Sequence, residues 1–574
     1  MQSVDDRKTG SWAWRSGAIA VLFFGAALLM AARAVDLQVL RSDFLQDQGQ
    51  ARYVRTVEMP AHRGMITDRN GEVLAVSTPV ASVWANPQEM EESVSRLPEV
   101  AEIIGVDPRK LLRAVVERPE REFVYLERHI PPHKADAIEA LGIPGIYLQR
   151  EYKRFYPAAE VTSHVLGFTN IDDKGQEGLE LAFNEWLSGE AGAKRVLRDR
   201  LGRTIEDLEL LRAPQPGKTL ATSLDLRLQY LAYRELKAAI IDHKAVSGSI
   251  VVLNPETGEI LALANQPSFN PNNRSDYQSS HYRNRAVTDV FEPGSSFKPF
   301  PIAAALETGR YEPSTPIDTS PGFIKVGGYA VRDPRNYGLI DVTTVLTKSV
   351  NTGASRIALS LERDHLWSIL ARFGFGSVTG VGLPGETGGV LPHWQRWREV
   401  TQATLAYGYG LSVTPLQLAQ GYAILAADGV RHPVTLLAGG SAAMEGDGER
   451  VISAASAREM RRMLETVVAP GGTGTAASIK GYRVAGKTGT ARKAVAGGYS
   501  ADKHIAVFAG FAPVSDPRLV VVVVINEPHE EGYYGGDIAA PVFARVMAGG
   551  LRVLGVPPDA ADEEPNLIAG RVAP

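Results

Sequence analysis

Three short stretches of this 574-residue chain carry side chains that could perform acyl transfer together. The first, Glu292-Pro-Gly-Ser-Ser-Phe-Lys298, sets Ser295 and Lys298 three positions apart. That spacing is almost one helical turn, so hydroxyl and amine share a face. Serine is a poor nucleophile until a base takes its proton, and lysine is such a base only when burial or a second cation lowers its pKa toward neutrality. The second stretch, Ser349-Val-Asn351, offers a hydroxyl that can relay a proton and an amide that can hold a substrate backbone. The third, Lys487-Thr-Gly-Thr490, offers the second cation, hydroxyls for a carboxylate and a flat glycine for close approach. The backbone N–H groups of Ser295 and Thr490 are the expected oxyanion donors. Arg492 is a further candidate contact for an anionic substrate. Alone, each stretch also fits a bland role: an N-capping serine, a helix cap, a surface hairpin. The set of three in this order argues for chemistry.

The surrounding elements must bring these stretches together. Pro293 and Gly294 make a turn, and Phe297 to Leu306 reads as a buried helix whose first turn Pro299 and Pro301 should distort. Upstream, the pattern predicts a strand over Leu220–Asp225, a helix from about Leu226 to His243, and a hairpin of Ser247–Leu253 with Ile260–Ala264 around Pro255-Glu-Thr-Gly258. Helical stretches dominate to about residue 470. Strands return over Arg483–Ala491, His504–Phe511 and Leu519–Ile525, with a turn at Ser515-Asp-Pro517, and Ala539–Leu554 closes as a helix. Leu519–Ile525, seven apolar residues, is too short to cross a bilayer and predicts a strand covered on both faces. Hairpin, helical block, strands and final helix imply one sheet whose terminal segments meet, with a helical subdomain inserted.

Before this region a Pro/Gly-rich linker, Leu211–Lys218, marks a domain boundary. Residues 52–217 mix short strands, helices and turns: Arg63–Gly71 around an Asp-Arg-Asn turn, the strand-like Val73–Val76, a cluster at Glu151–Pro157 and Ser163–Phe168, a helix from Gly178 through Leu187, and a hairpin turn at Asp199–Arg203. Arg63, Arg154 and His164 have no nucleophile beside them and are expected in buried salt bridges. At the start, Arg7, Lys8 and Arg15 precede the uncharged run Ser16–Ala32, closed by Arg33. About 17 apolar residues is the lower limit for a membrane span, with Trp12 and Trp14 at the interface and the basic flank in the cytoplasm. Ala32-Arg-Ala34 resembles a signal-peptidase site, but the apolar stripe continues through Val35, Val39, Leu40 and Phe44, so an uncleaved anchor is expected. A net charge of −4 gives no reason to expect a nucleic-acid partner, and no cysteine and no His-Glu-x-x-His pattern call for a metal. No cofactor is expected.

Serine-x-x-lysine, a Ser-x-Asn element and Lys-Thr-Gly together form the signature of penicillin-binding proteins and class A β-lactamases. The chain resembles the class B penicillin-binding proteins, and within them the septal, division-specific type of Gram-negative bacteria, on Arg63-Gly-Met-Ile-Thr-Asp-Arg69, Thr288–Ser295 and Tyr534-Gly-Gly536 with Ala540–Phe543. The resemblance implies an α+β multidomain chain. Its expected parts are a cytoplasmic tail (1–15), a transmembrane anchor (16–34), an elongated α/β pedestal of dimerisation type (35–217), a transpeptidase domain with a central antiparallel sheet flanked by helices (218–555) and a flexible tail (556–574). It implies a periplasmic D,D-transpeptidase at the division septum that cross-links stem peptides ending in D-Ala-D-Ala, is acylated by β-lactams at Ser295, and works beside a membrane glycosyltransferase and other division proteins. Ser295, Lys298, Ser349 and Lys487 would be catalytic; Asn351, Thr488, Gly489, Thr490 and Arg492 would bind substrate. Alternatives are the elongation-type transpeptidase, a D,D-carboxypeptidase or β-lactamase, and a β-lactam-binding scaffold. No Glu-x-x-Leu-Asn pattern stands between Ser349 and Lys487 to place a deacylating water.

Overall fold

The computed structural model describes residues 10–42, 54–198, 204–273, 275, 278–439, 448–495, 498–529 and 532–560. The expected hairpin turn at Asp199–Arg203 lies outside the described residues. The chain forms two compact units, the first of residues up to 62 with 81–151 and 189–216, the second of residues 63–80, 152–188 and 217 onward.

In the first unit the apolar run at the start is a helix, Gly10–Val35, continued by a π-helical turn at Asp36–Leu40. Trp14 to Leu40 is long and apolar enough to cross a membrane, and none of it is buried by protein. An apolar helix with no protein partner needs a non-aqueous surrounding. Val54–Met59, Gly192–Arg198 and Thr204–Arg212 pair antiparallel in a three-stranded sheet. A separate core gathers Val83, Leu97, Val100, Leu111, Leu126 and Ile138 from the helices Leu97–Ile104, Pro108–Val116 and Pro132–Ala140 and their neighbouring strands.

The second unit is built on one sheet. Its elements are α1 (Leu226–Asp242), β1 (Ser247–Leu253), β2 (Ile260–Gln266), α2 (Pro299–Leu306), α3 (Asn351–Leu359), α4 (Pro415–Ala426), α5 (Ala454–Val468), β3 (Ala485–Val495), β4 (Gly498–Ala512), β5 (Leu519–Asn526) and α6 (Gly535–Val553). The strand order is β2-β1-β5-β4-β3, every pair antiparallel. The terminal segments do meet: β5 pairs with β1, Val522 opposite Val251. The pleat explains the valine run of β5, because alternate residues face opposite sides. Val521, Val523 and Ile525 pack with α1 and α6 through Leu236, Phe543 and Val546. Val520, Val522 and Val524 join the other core with Leu416 of α4 and Phe300 of α2. The inserted residues between β2 and β3 are mainly helical but include a small hairpin, Phe323–Val326 with Tyr329–Arg332, enclosed by the antiparallel pair Pro316–Asp318 with Leu339–Asp341.

Several boundaries differ from the sequence expectation. The strand after the linker is only Leu220–Ala221, because Asp225 instead caps α1 through Arg227 N. The helix expected from Gly178 to Leu187 is two short ones, Gly178–Ala182 and Asn184–Ser188, broken at Phe183. Pro299 and Pro301 do not deform a helix interior: a 3₁₀ turn over Gly294–Phe297 ends first, and Pro299 starts α2, where its missing N–H costs nothing. Arg63 and Arg154 both pair with the buried Glu180, at 2.7 and 2.6 Å. His164 makes no ion pair among the described residues: its Nε2 lies 2.8 Å from the His281 carbonyl, and burial pulls its pKa down to about 4, so it is neutral. At the other end Asp559 accepts hydrogen bonds from Arg483 N and Ser515 Oγ, which fastens the chain beyond α6 to the β4–β5 turn.

Candidate active site

The structure brings the three stretches to one point. Ser295 sits in the first turn of the 3₁₀ segment, where N–H groups have no intrahelical acceptor. Gly294 reaches this turn at φ +56°, and its N–H donates to the Gly408 carbonyl at 3.2 Å. Lys298, on the same turn, places Nζ 2.8 Å from Ser295 Oγ. It is wholly buried, as is Lys487.

Four oxygens surround Lys298 Nζ: Ser295 Oγ at 2.8 Å, Ser349 O at 2.8 Å, Ser349 Oγ at 3.1 Å and Asn351 Oδ1 at 2.7 Å. A neutral amine has two N–H bonds and one lone pair. The two carbonyl oxygens can only accept, so once Lys298 is neutral they take both N–H bonds and turn its lone pair toward the serine hydroxyls. Burial, then the neighbouring Lys487, pushes the Lys298 pKa well below its ordinary value, against the opposing pull of Asp333. Lys487 Nζ donates to Ser349 Oγ at 3.0 Å, and burial lowers its pKa to about 7. Ser349 therefore bridges the two amines. It does so from the left-handed region, φ +59°, which costs a non-glycine residue energy and puts its carbonyl and hydroxyl on the same nitrogen.

Asn351 is held by a residue that the sequence reading missed. Asp333, which follows the small hairpin, accepts from Asn351 N at 2.5 Å and Thr352 N at 3.0 Å and from the Thr352 hydroxyl. It caps α3 from outside the helix, while Asn351 Nδ2 donates to Arg332 O at 3.3 Å. Nothing local marks Asp333, because its partners lie 18 and 19 positions away.

Thr488, Gly489 and Thr490 lie on β3, the edge strand. A Cβ on Gly489 would stand 2.8 Å from Pro293 O and 3.0 Å from Ser296 Cβ, so strand and nucleophile turn meet backbone to backbone. Gly408 repeats this on the other side, at φ +82° with a Cβ site 2.1 Å from Gly294 O. The Tyr407-Gly-Tyr-Gly410 and Tyr533-Tyr-Gly-Gly536 segments are thus packed parts of the site. Gly535 N donates to Thr490 Oγ1 at 3.0 Å, and Gly410 N donates to Glu292 Oε1 at 2.8 Å, which also accepts from Tyr499 OH at 3.0 Å. Arg492 bonds to the rest of the site through its backbone: its N–H donates to Tyr409 OH at 3.3 Å, and its exposed side chain makes no hydrogen bond or ion pair among the described residues. That N–H points to the free edge, so by strand alternation the N–H of Thr490 does too, on the side of Ser295. Two N–H donors and a serine flanked by a buried amine whose pKa is pushed well down make a site for acyl transfer.

The fold and site define a penicillin-recognising serine acyltransferase. Residues 248–548 match the penicillin-binding protein transpeptidase domain and residues 58–222 the penicillin-binding protein dimerisation domain, and the chain belongs to the penicillin-binding proteins that carry both. It is 42% identical to PbpC of Pseudomonas aeruginosa over 95% of this chain and 96% of that one. It is also 42% identical to the peptidoglycan D,D-transpeptidase FtsI of Escherichia coli, over 95% and 93%. Penicillin-binding protein 3 of Mycobacterium tuberculosis, solved with aztreonam, superposes with a TM-score of 0.68 at 28% identity, covering 88% of this chain and 98% of that one.

Proposed function

We propose that this chain is a peptidoglycan D,D-transpeptidase of the septal, division-specific type and a target of β-lactams. The carrying observation is the 2.8 Å approach of the buried Lys298 amine to Ser295 Oγ, with Lys487 on the far side of Ser349. The likeness to FtsI across nearly the whole chain supports the septal type.

Ser295 Oγ attacks the carbonyl of the penultimate D-Ala of a stem peptide while its proton passes to Lys298. The negative charge that forms on the carbonyl oxygen is met by the N–H groups of Ser295 and Thr490. Ser349 hands the proton from Lys298 to the nitrogen of the terminal D-Ala, which leaves as the free amino acid. The amine of a second stem peptide then attacks the acyl-serine, gives up its proton along the same path, and restores Ser295. Asn351 holds the substrate backbone, Thr488 and Lys487 take the terminal carboxylate, Gly489 gives the strand its close approach, and the Arg492 side chain meets anionic groups beyond. A β-lactam acylates Ser295 by the same first step. The apolar segment Trp14–Leu40, behind a basic flank, anchors the protein in the inner membrane with its catalytic unit in the periplasm at the septum. A membrane glycosyltransferase and other division proteins are its partners.

Intact mass of the full-length protein in detergent, with and without benzylpenicillin, tests this. One stable adduct is expected on wild type and none on Ser295→Ala. Fast turnover of the penicillin without an adduct would place the protein among hydrolases, and an adduct on Ser295→Ala would remove Ser295 as nucleophile.

A further inference from the structure

At the end of the catalytic sheet where β1 begins and β5 ends lies a cavity of about 220 Å³. Arg283, Arg285, Asp289, Lys493, Ser247 and Asn526 supply its polar walls. On one side Arg283 Nε pairs with one oxygen of Asp289, and Arg285 Nε lies 3.8 Å from the other. On the other side Glu527 is shared by Lys493, at 2.5 Å, and Lys503, at 3.0 Å. Each carboxylate thus serves two cations, and four cations against two carboxylates leave two positive charges over among the described residues. The Arg285 side chain is only 13% exposed, so its charge is poorly screened. Burial lowers its pKa despite the help of Asp289, and Arg283 adds to the fall, as expected of a guanidinium short of negative charge. Ser247 Oγ accepts from Asn526 Nδ2 at 3.0 Å, and its own O–H has no acceptor among the described residues. Arg285 Nη1 donates to Ser280 O at 2.9 Å, Arg283 Nε to Thr288 Oγ1 at 3.1 Å and Lys493 Nζ to Asn526 Oδ1 at 3.3 Å, so neutral acceptors hold these groups in place while the excess positive charge remains without a counter-charge around one small cavity.

We infer that this cavity binds an anionic group of the carboxylate or phosphate class. Its size admits one such group rather than a drug-sized molecule. Two sources fit. The wall Asp289–Phe291 runs directly into Glu292 and the nucleophile turn, and Lys493 follows Thr490 by three residues, roughly 10 Å along an extended strand. An acidic residue upstream of the scissile bond in the substrate chain would therefore reach it, an assignment that rests on the transpeptidase reading. A free anion would reach it from solvent, and the site itself does not depend on that reading.

Calorimetric titration of the full-length protein in detergent at low salt, with inorganic phosphate and with glutarate, tests the site. Saturable binding is expected, weakened about fivefold or more in Arg285→Gln and in Lys493→Gln. It should strengthen in Asp289→Asn, which a merely structural role would not produce; unchanged circular dichroism confirms each fold. The source is read from acylation of Ser295 by peptides ending in D-Ala-D-Ala that carry glutamate or glutamine three residues before the scissile bond. A preference for glutamate that Lys493→Gln erases assigns the cavity to the substrate chain. Equal use of both peptides beside saturable phosphate binding assigns it to a free anion. No saturable binding and no glutamate preference, or affinities that none of the three substitutions moves, overturns the site. Peptides that fail to acylate at all would count against the transpeptidase reading and leave the titration to decide the cavity.

Discussion

Lys298 has more oxygens around it than a neutral amine has protons to give, and Lys487 is buried with a pKa of about 7. The two lysines set opposite limbs of one pH profile. Acylation requires Lys298 neutral, so kcat/KM for a penicillin or peptide should rise with pH as Lys298 loses its proton. It should fall again through about pH 7 in the free enzyme as Lys487 loses the charge that draws the substrate carboxylate. A stopped-flow acylation series from pH 5 to 9 checks the bell; a rate that keeps climbing past pH 8 would deny Lys487 this role. For Lys487, stability runs opposite to this falling limb. The folded pKa of Lys487 lies below its unfolded value, so between the two the unfolded chain holds more protons and stability rises with pH. Lys487→Met should therefore melt higher than wild type at pH 6, by an amount equivalent to a few kcal/mol, and lose that advantage toward pH 10. Asp333→Asn weakens the cap on α3 and the seat of Asn351; a loss of roughly 1 kcal/mol in stability and about tenfold in acylation rate is expected. Ser295, Lys298, Asn351 and Lys487 were legible because their signal is local, a spacing of a few residues. Asp333, Glu292 and Tyr409 were not, because each acts on a backbone 18, 118 or 83 positions away and no local pattern records the meeting.

At the scale of elements, the width of the cleft is fixed by glycines. Gly408 and Gly489 grip the nucleophile turn from two sides with no side chain between. Gly408→Ala adds a methyl 2.1 Å from a carbonyl oxygen at a residue with φ +82°, so it must displace Gly294 and with it Ser295. Penicillin acylation should drop at least a hundredfold in Gly408→Ala while the melting temperature falls by only a few degrees; equal acylation would show that the turn does not depend on this contact. The sheet was largely readable in the chain, since continuous apolar runs bounded by turn residues mark β1, β2 and β5, which are buried almost throughout, while β4, expected from His504, already starts at Gly498. The start of β3 and the short strand before α1 were misplaced, because glycine, lysine and threonine follow no apolar alternation and Asp225 reads equally as strand end or helix cap. The small strand pairs between residues 316 and 341 escaped for a related reason: strands of three or four residues hold too few side chains to show a period.

For the whole molecule, chemistry and attachment reside in different parts of the chain. The catalytic groups belong to the second unit, and the bare apolar helix to the first. Removal of residues 1–53 should release the protein from the membrane fraction and leave penicillin acylation within about twofold of wild type; retention in membranes would point to a second attachment. Sequence alone did not reveal that residues 63–80 and 152–188 condense with residues 217 onward, since the bonds that join them, Leu226 N to Asp68 Oδ2 and Gln229 Nε2 to Val161 O, link positions 158 and 68 apart.

The hydroxyl of Tyr409 on the Arg492 N–H has a consequence for solubility. An unprotected edge strand is a template on which a second copy can add a strand, and β3 is an edge that catalysis obliges the protein to leave open. Tyr409 stops the ladder at Arg492, two residues beyond Thr490. The open window is thereby wide enough for the tail of a peptide and too narrow for the registered pairing of two sheets.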